Sequence, residues 1–185
     1  ILFLIFGVSH AVATACMAIF AWCLGAGVYT IVRRLCRPAA SFMTAVLVLS
    51  TPIVMVWGRQ IMLELPMLTF MVWSVVFFLK YLDGDRPIHL WASAGFLLCA
   101  VYTKQTSGLL IPVYLAVLIV EKRISTILQR HVWVIVVATL IGLVPLGIMQ
   151  VKFGSFNVIT VMDRSDVPID RMSIEGISWY ASRFP

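Results

Sequence analysis

Ser9 to Val32 reads SHAVATACMAIFAWCLGAGVYTIV, and this run decides the fold class. A spanning helix needs about 20 mostly apolar residues, because each rises about 1.5 Å through a hydrocarbon core of about 30 Å. The run meets that length. Its small residues (Ala11, Ala13, Ala15, Ala18, Ala21, Gly25 and Gly27) let helix backbones approach closely in lipid, which predicts a helix packed inside a bundle. It ends at Arg33-Arg34-Leu35-Cys36-Arg37-Pro38, a basic stop followed by a helix breaker.

The pattern repeats outward from this run. Upstream, Ile1 to Phe6 is too short to span and reads as the end of a preceding element. Downstream lie Ala39–Trp57, Pro66–Leu82, Ile88–Tyr102, Leu109–Val120 and Val132–Met149. Pro52 predicts a kink in the second run, Pro66 suits a first helical turn, and Gly142, Pro145 and Gly147 mark bend points in the last. The expected fold is all-α, a polytopic transmembrane helix bundle of about six spans. From Gln150 the chain turns polar and mixed. Residues 1–150 are therefore read as the bundle, and 151–185 as an extracytoplasmic loop with an interfacial helix over Ser173–Arg183. A chain that starts at Ile1 and stops at Phe184-Pro185 reads as an internal fragment of a longer protein.

Composition agrees. The 185 residues are 62% hydrophobic and 12% charged, with mean hydropathy +1.02. Soluble domains run at about 45–50% apolar and about 25% charged. The net charge of +6 does not indicate nucleic acid, because no basic run carries interleaved aromatics. Cys16, Cys23, Cys36 and Cys99 have no metal-ligand spacing and are expected to be small buried hydrophobes. No Gly-rich phosphate loop, GxSxG or HExxH is present, and Asp163, Asp166 and Asp170 lack calcium-loop spacing.

Two polar knots interrupt the apolar pattern: Gly58-Arg59-Gln60-Ile61-Met62-Leu63-Glu64-Leu65-Pro66 and Tyr102-Thr103-Lys104-Gln105-Thr106-Ser107-Gly108. If the spans alternate, Arg33, Arg34, Arg37, Lys80, Arg86, Lys122, Arg123 and Arg130 share one side, in uniformly basic short loops. That side is assigned to the cytoplasm. Both knots and the tail then face the opposite, extracytoplasmic side. Arg59 and Glu64 would lie about 140° apart on an ideal helix, so the first knot is expected to bend. Leu65, before a proline, is expected to be extended, with Glu64 at the amide end of the next helix. Lys104 suits the end of its span, and Thr106 or Ser107 is expected to cap the helix that follows. Two cations beside a carboxylate suit an anionic head such as a lipid-linked phosphate. His10, His89 and His131 read as edge residues, and most Trp and Tyr residues as interfacial anchors.

The order of Phe6-Gly7-Val8-Ser9, the small-residue helix ending in Arg33-Arg34-Leu35, the Pro52 helix, Gly58-Arg59…Glu64-Leu65-Pro66 and Thr103-Lys104 resembles the bacterial polytopic GT-C glycosyltransferases. Among these it is similar to the protein O-mannosyltransferases and the lipid A aminoarabinose transferase. The likeness covers about Ile1 to Arg123, and more weakly Trp179-Tyr180…Phe184-Pro185. It implies a sugar carried on a polyprenyl phosphate and moved to a lipid, glycan or protein acceptor on the outer face of the bacterial plasma membrane. It also implies an aspartate that serves as the catalytic base, in a loop upstream of Ile1, and leaves room for a divalent metal. On this reading Lys104, helped by Arg59, holds the donor phosphate. Glu64 positions the cations or the sugar hydroxyls, and Gln105 adds a hydrogen bond. The alternative is a transporter or lipid flippase, which would want mid-membrane charges and broken helices in matched repeats.

Overall fold

The computed structural model describes residues 10–59, 62–84, 86–121 and 129–163. Each apolar run is helical. The elements are α1 (His10–Val32), α2 (Pro38–Leu49), α3 (Pro52–Arg59), α4 (Glu64–Gly84), α5 (Pro87–Thr103), a 3-10 turn (Gln105–Leu109), α6 (Leu110–Val120) and α7 (Arg130–Asp163). Three helices are long and apolar enough to cross a membrane, over Ala11–Val32, Glu64–Gly84 and Arg130–Met149. α2 and α3 pass together as a fourth, bent by 60°. α5 and the stretch Gln105–Val120 are apolar but shorter. The six expected runs therefore resolve into three or four segments of spanning length and two shorter apolar ones.

The bend is sharper than a kink because Pro52 offers no N–H to the preceding turn. The freed Val48 carbonyl is satisfied locally by Thr51, whose Oγ1 donates to it at 2.7 Å and whose amide donates at 3.2 Å. Pro145, by contrast, lies inside an unbroken α7. That helix continues to Asp163, through residues expected to form a loop. Chain contacts divide the molecule into Ile1–Gly142 and Leu143–Pro185. The second unit exposes Val144, Ile148 and Val151, an apolar face suited to lipid. Ser173–Arg183, Asp166 and Asp170 lie outside the described residues, as does the side chain of Asp163.

The innermost helix is α4, rather than the small-residue α1. It packs on α1, α3 and α5. One core cluster joins Met17 and Leu24 of α1, Val54 of α3 and Leu65 of α4. Leu65 is helical, correcting the extended conformation expected before Pro66. It is fully buried in that cluster, and packing outweighs the pre-proline bias. α1 buries one face and leaves Ile19 and Trp22 exposed.

Lipid supplies no hydrophobic drive between helices, so their contacts rest on close approach and hydrogen bonds. Both are present. Thr69 Oγ1 shares its hydrogen between the Leu65 carbonyl of its own helix at 2.8 Å and the Phe20 carbonyl at 3.1 Å, and Trp73 Nε1 donates to Cys23 at 3.0 Å, tying α4 to α1. A Cβ on Gly27 would meet Val72 Cγ1 at 2.6 Å, and one on Gly25 would meet Leu49 Cδ1 at 2.8 Å. Val72 is β-branched and stiff at χ1, whereas the end of Leu49 can swing aside. Gly27→Ala is therefore expected to destabilise by about 1–3 kcal/mol. Gly25→Ala should be near neutral, its small clash offset by the roughly 0.5–1 kcal/mol gained when alanine replaces a helical glycine. Thermal unfolding of both variants checks this, and equal melting shifts would contradict it.

Two expectations about side chains are corrected. Cys23 and Cys99 are exposed and Cys16 is half-buried on helices, where a weakly polar thiol tolerates a lipid-facing surface, and Cys36 is exposed in the basic turn after α1. Trp22, Trp91, Trp133 and Tyr102 are exposed, Trp22 in the middle of α1 rather than near an end, whereas Tyr81 is buried and Tyr114 half-buried. Tyr81 donates to Gln129 Oε1 at 3.3 Å and lies 3.0 Å from His131 Nε2. His131 is thus a packing partner as well as an edge residue.

Candidate functional site

α4 has its ion-paired ends about 30 Å apart, given 21 residues at 1.5 Å each. At its C-terminal end Arg34 pairs with Asp83. At its N-terminal end the two polar knots meet. The shared end expected from alternating spans is thus a direct contact: Lys104 Nζ donates to Glu64 Oε1 at 2.7 Å.

Local structure sets up this contact from both sides. α3 ends at Arg59, and the Met62 amide reaches back to the Trp57 carbonyl at 3.2 Å, closing the reversal into α4. Leu65, locked in the core, fixes the first turn. Glu64 opens the helix, where unpaired amides favour a carboxylate. On the other side Lys104 is the extended residue closing α5, its amide bonded to Ala100 at 2.8 Å. The Ser107 amide and hydroxyl both donate to the Lys104 carbonyl, at 3.1 and 2.9 Å. Lys104 is therefore pinned in backbone and free to aim its side chain at α4.

The expected caps are corrected. Ser107 bonds backward to Lys104, and the Thr106 hydroxyl lies 3.6 Å from Met67 Sδ, a second contact between the same two segments. A 3-10 turn leaves no helix start for either hydroxyl to cap. Gln105 opens this turn beside Lys104 and is exposed. The Arg59 side chain lies outside the described residues, and so does that of His10. The structure therefore joins Glu64 to Lys104, and sets Gln105 next to them in sequence.

The pair remains open to a ligand. Its side chains are 42% and 25% exposed for Lys104 and Glu64, so solvent and a headgroup can both reach the ammonium. An open pair of this kind adds little to stability. What it does chemically is hold a cation in place with part of its coordination unfilled. Tyr102 donates to the Gly142 carbonyl at 2.6 Å, tying α5 to the interior of α7. Among the described residues, no three His, Cys, Asp or Glu side chains gather as a metal-binding group.

Sequence reading missed a second polar cluster, deep between α4, α5 and α6. Ser74 Oγ donates to the Ser93 carbonyl and Ser93 Oγ to the Ser74 carbonyl, each at 2.9 Å. Since the Ser74 hydrogen is committed, the Tyr114 hydroxyl donates to Ser74 Oγ at 2.7 Å. No buried polar side-chain atom among the described residues lacks a partner, so this cluster is a closed structural clamp. The signal for it was faint: single hydroxyls at interior positions of apolar runs.

Neither a curated protein nor a solved structure matches the chain. A family model described as dolichyl-phosphate-mannose-protein mannosyltransferase matches residues 1–148. That match spans most of the chain and falls on an all-helical membrane bundle. The chain therefore belongs to the dolichyl-phosphate-mannose-protein mannosyltransferase family, an integral membrane glycosyltransferase of the GT-C type.

Proposed function

We propose that this chain takes a sugar from a polyprenyl-phosphate carrier and transfers it to a lipid, glycan or protein acceptor at the extracytoplasmic face of a bacterial plasma membrane. The observation that supports this best is the Lys104–Glu64 contact, which brings both polar knots to one end of the bundle, opposite the basic Arg34–Lys80 end. Short basic loops favour the cytoplasmic side, so the knots face outward.

In the transfer, an acceptor hydroxyl oxygen forms the new bond to the anomeric carbon as the bond from that carbon to the phosphate oxygen breaks. The hydroxyl proton goes to a base, and the phosphate leaves with one more negative charge than it had in the donor. Phosphate is already a good leaving group, so charge neutralisation matters more here than a general acid. A preorganised cation in a drier site supplies it where the charge develops. We assign Lys104 to that role, helped by Arg59 of the first knot. Glu64 is a positioning residue that holds the ammonium. Gln105 is assigned a hydrogen bond to a phosphate or sugar oxygen.

The transporter reading gains little from the fold: the described residues contain one bent helix pair, with no matching second one. The test uses the full protein in nanodiscs, supplied with a panel of polyprenyl-phosphate sugars and candidate acceptors. Release of free polyprenyl phosphate with at least one donor is expected. Folded protein that releases none from any donor would count against transfer from such carriers.

A further inference from the structure

We infer that the opposite, basic end of the bundle binds an anionic phospholipid, its phosphate seated between Arg34, in the turn just after α1, and Lys80 of α4. A shallow groove runs between these helices, lined by Thr30, Ile31, Arg34, Val76, Leu79 and Lys80. Its open wall is apolar (Ile31 and Leu79, with Val76 buried behind them) and its rim is cationic. That is the polarity order of a phospholipid, with acyl chain along the wall and headgroup at the rim.

The rim cations are available. Lys80 is exposed, and no ion pair ties it to a carboxylate among the described residues. Its ammonium sits 5.2 Å from the Phe77 ring centroid, near the membrane edge. Arg34 pairs with Asp83, whose side chain is 68% exposed and can turn to water when a phosphate arrives. A guanidinium has donors enough for a bidentate phosphate contact. Arg33, Arg37 and Arg86 are exposed at the same end and add to the field. Thr30 gives its hydroxyl hydrogen to Ala26 at 2.8 Å, so the groove floor has no spare side-chain donor for a free ion. The apolar wall favours a lipid over soluble phosphate, in whichever leaflet this end lies.

The test is native mass spectrometry of the full detergent-solubilised protein, titrated with dioleoyl phosphatidylglycerol or dioleoyl phosphatidylcholine, which share their acyl chains. Phosphatidylglycerol should be retained preferentially. Lys80→Gln should lower its retention about fivefold, the contribution of one basic side chain at an anionic surface. Asp83→Asn, which removes the competing carboxylate, should raise retention by a similar factor. A purely structural ion pair predicts no such rise. Because Lys80 is outside the Arg34–Asp83 pair, its variant stays informative even if Asp83→Asn is less stable. Equal retention of the two lipids, unchanged retention in Lys80→Gln, or displacement of the lipid by excess inorganic phosphate would each overturn the assignment.

Discussion

Lys104→Ala is expected to lower turnover by about 100-fold to 1,000-fold, the cost of losing one preorganised charge-stabilising donor. Folding should survive, because Lys104 contributes an open ion pair and its backbone is held independently by Ala100 and Ser107. Lys104→Arg, which keeps the charge, should recover part of the rate. The kinetic split matters more than the loss itself. A cation that meets charge developing on the leaving phosphate acts chiefly on kcat, whereas one that merely anchors the carrier acts on KM. Glu64→Gln keeps an oxygen acceptor near Lys104 but removes the charge that holds it. It should lower kcat less than Lys104→Ala does. Normal turnover in a well-inserted Lys104→Ala protein would remove Lys104 from the chemistry.

Ser93→Leu should cause the largest loss of stability. Ser74 is fully buried and Ser93 almost so, with Ser93 Oγ 2.9 Å from the Ser74 backbone carbonyl. Added carbons would meet that backbone, which can yield only if α4 and α5 separate. Overpacking of this kind costs about 1–3 kcal/mol or more, beyond the two lost hydrogen bonds. Ser93→Ala removes only the hydrogen bond it donates, and interhelical bonds in membranes average about 0.6 kcal/mol. Unfolding of the two variants in detergent should therefore differ clearly. Similar midpoints would mean that the α4–α5 contact is looser than its geometry indicates.

The helices were legible because spanning length and apolar runs leave few alternatives. Their arrangement was much less so. In a soluble helix, polar residues mark the outward face. In α1 and α4 both faces are apolar, so composition cannot say which helix lies inside. Small residues pointed to α1, yet α4 has the inner place, because Thr69, Ser74 and Trp73 bond to neighbours on either side. The break at Ser50-Thr51 was visible as Pro52, but its 60° angle was not. For the site, alternation of spans put Glu64 and Lys104 at one end. Only the fold could show that they touch. Leu65 misled for a tertiary reason, since a local bias before proline yields to a buried leucine in the core.

The assignment of Lys104 to the donor phosphate is tested most directly by binding, without catalysis. The full protein in nanodiscs would be titrated with polyprenyl phosphate and, separately, with the uncharged polyprenol of the same length. Wild type should prefer the phosphate, and Lys104→Ala should lose most of that preference while binding the alcohol as before. An undiminished preference in Lys104→Ala would place the phosphate elsewhere and contradict the site proposed here.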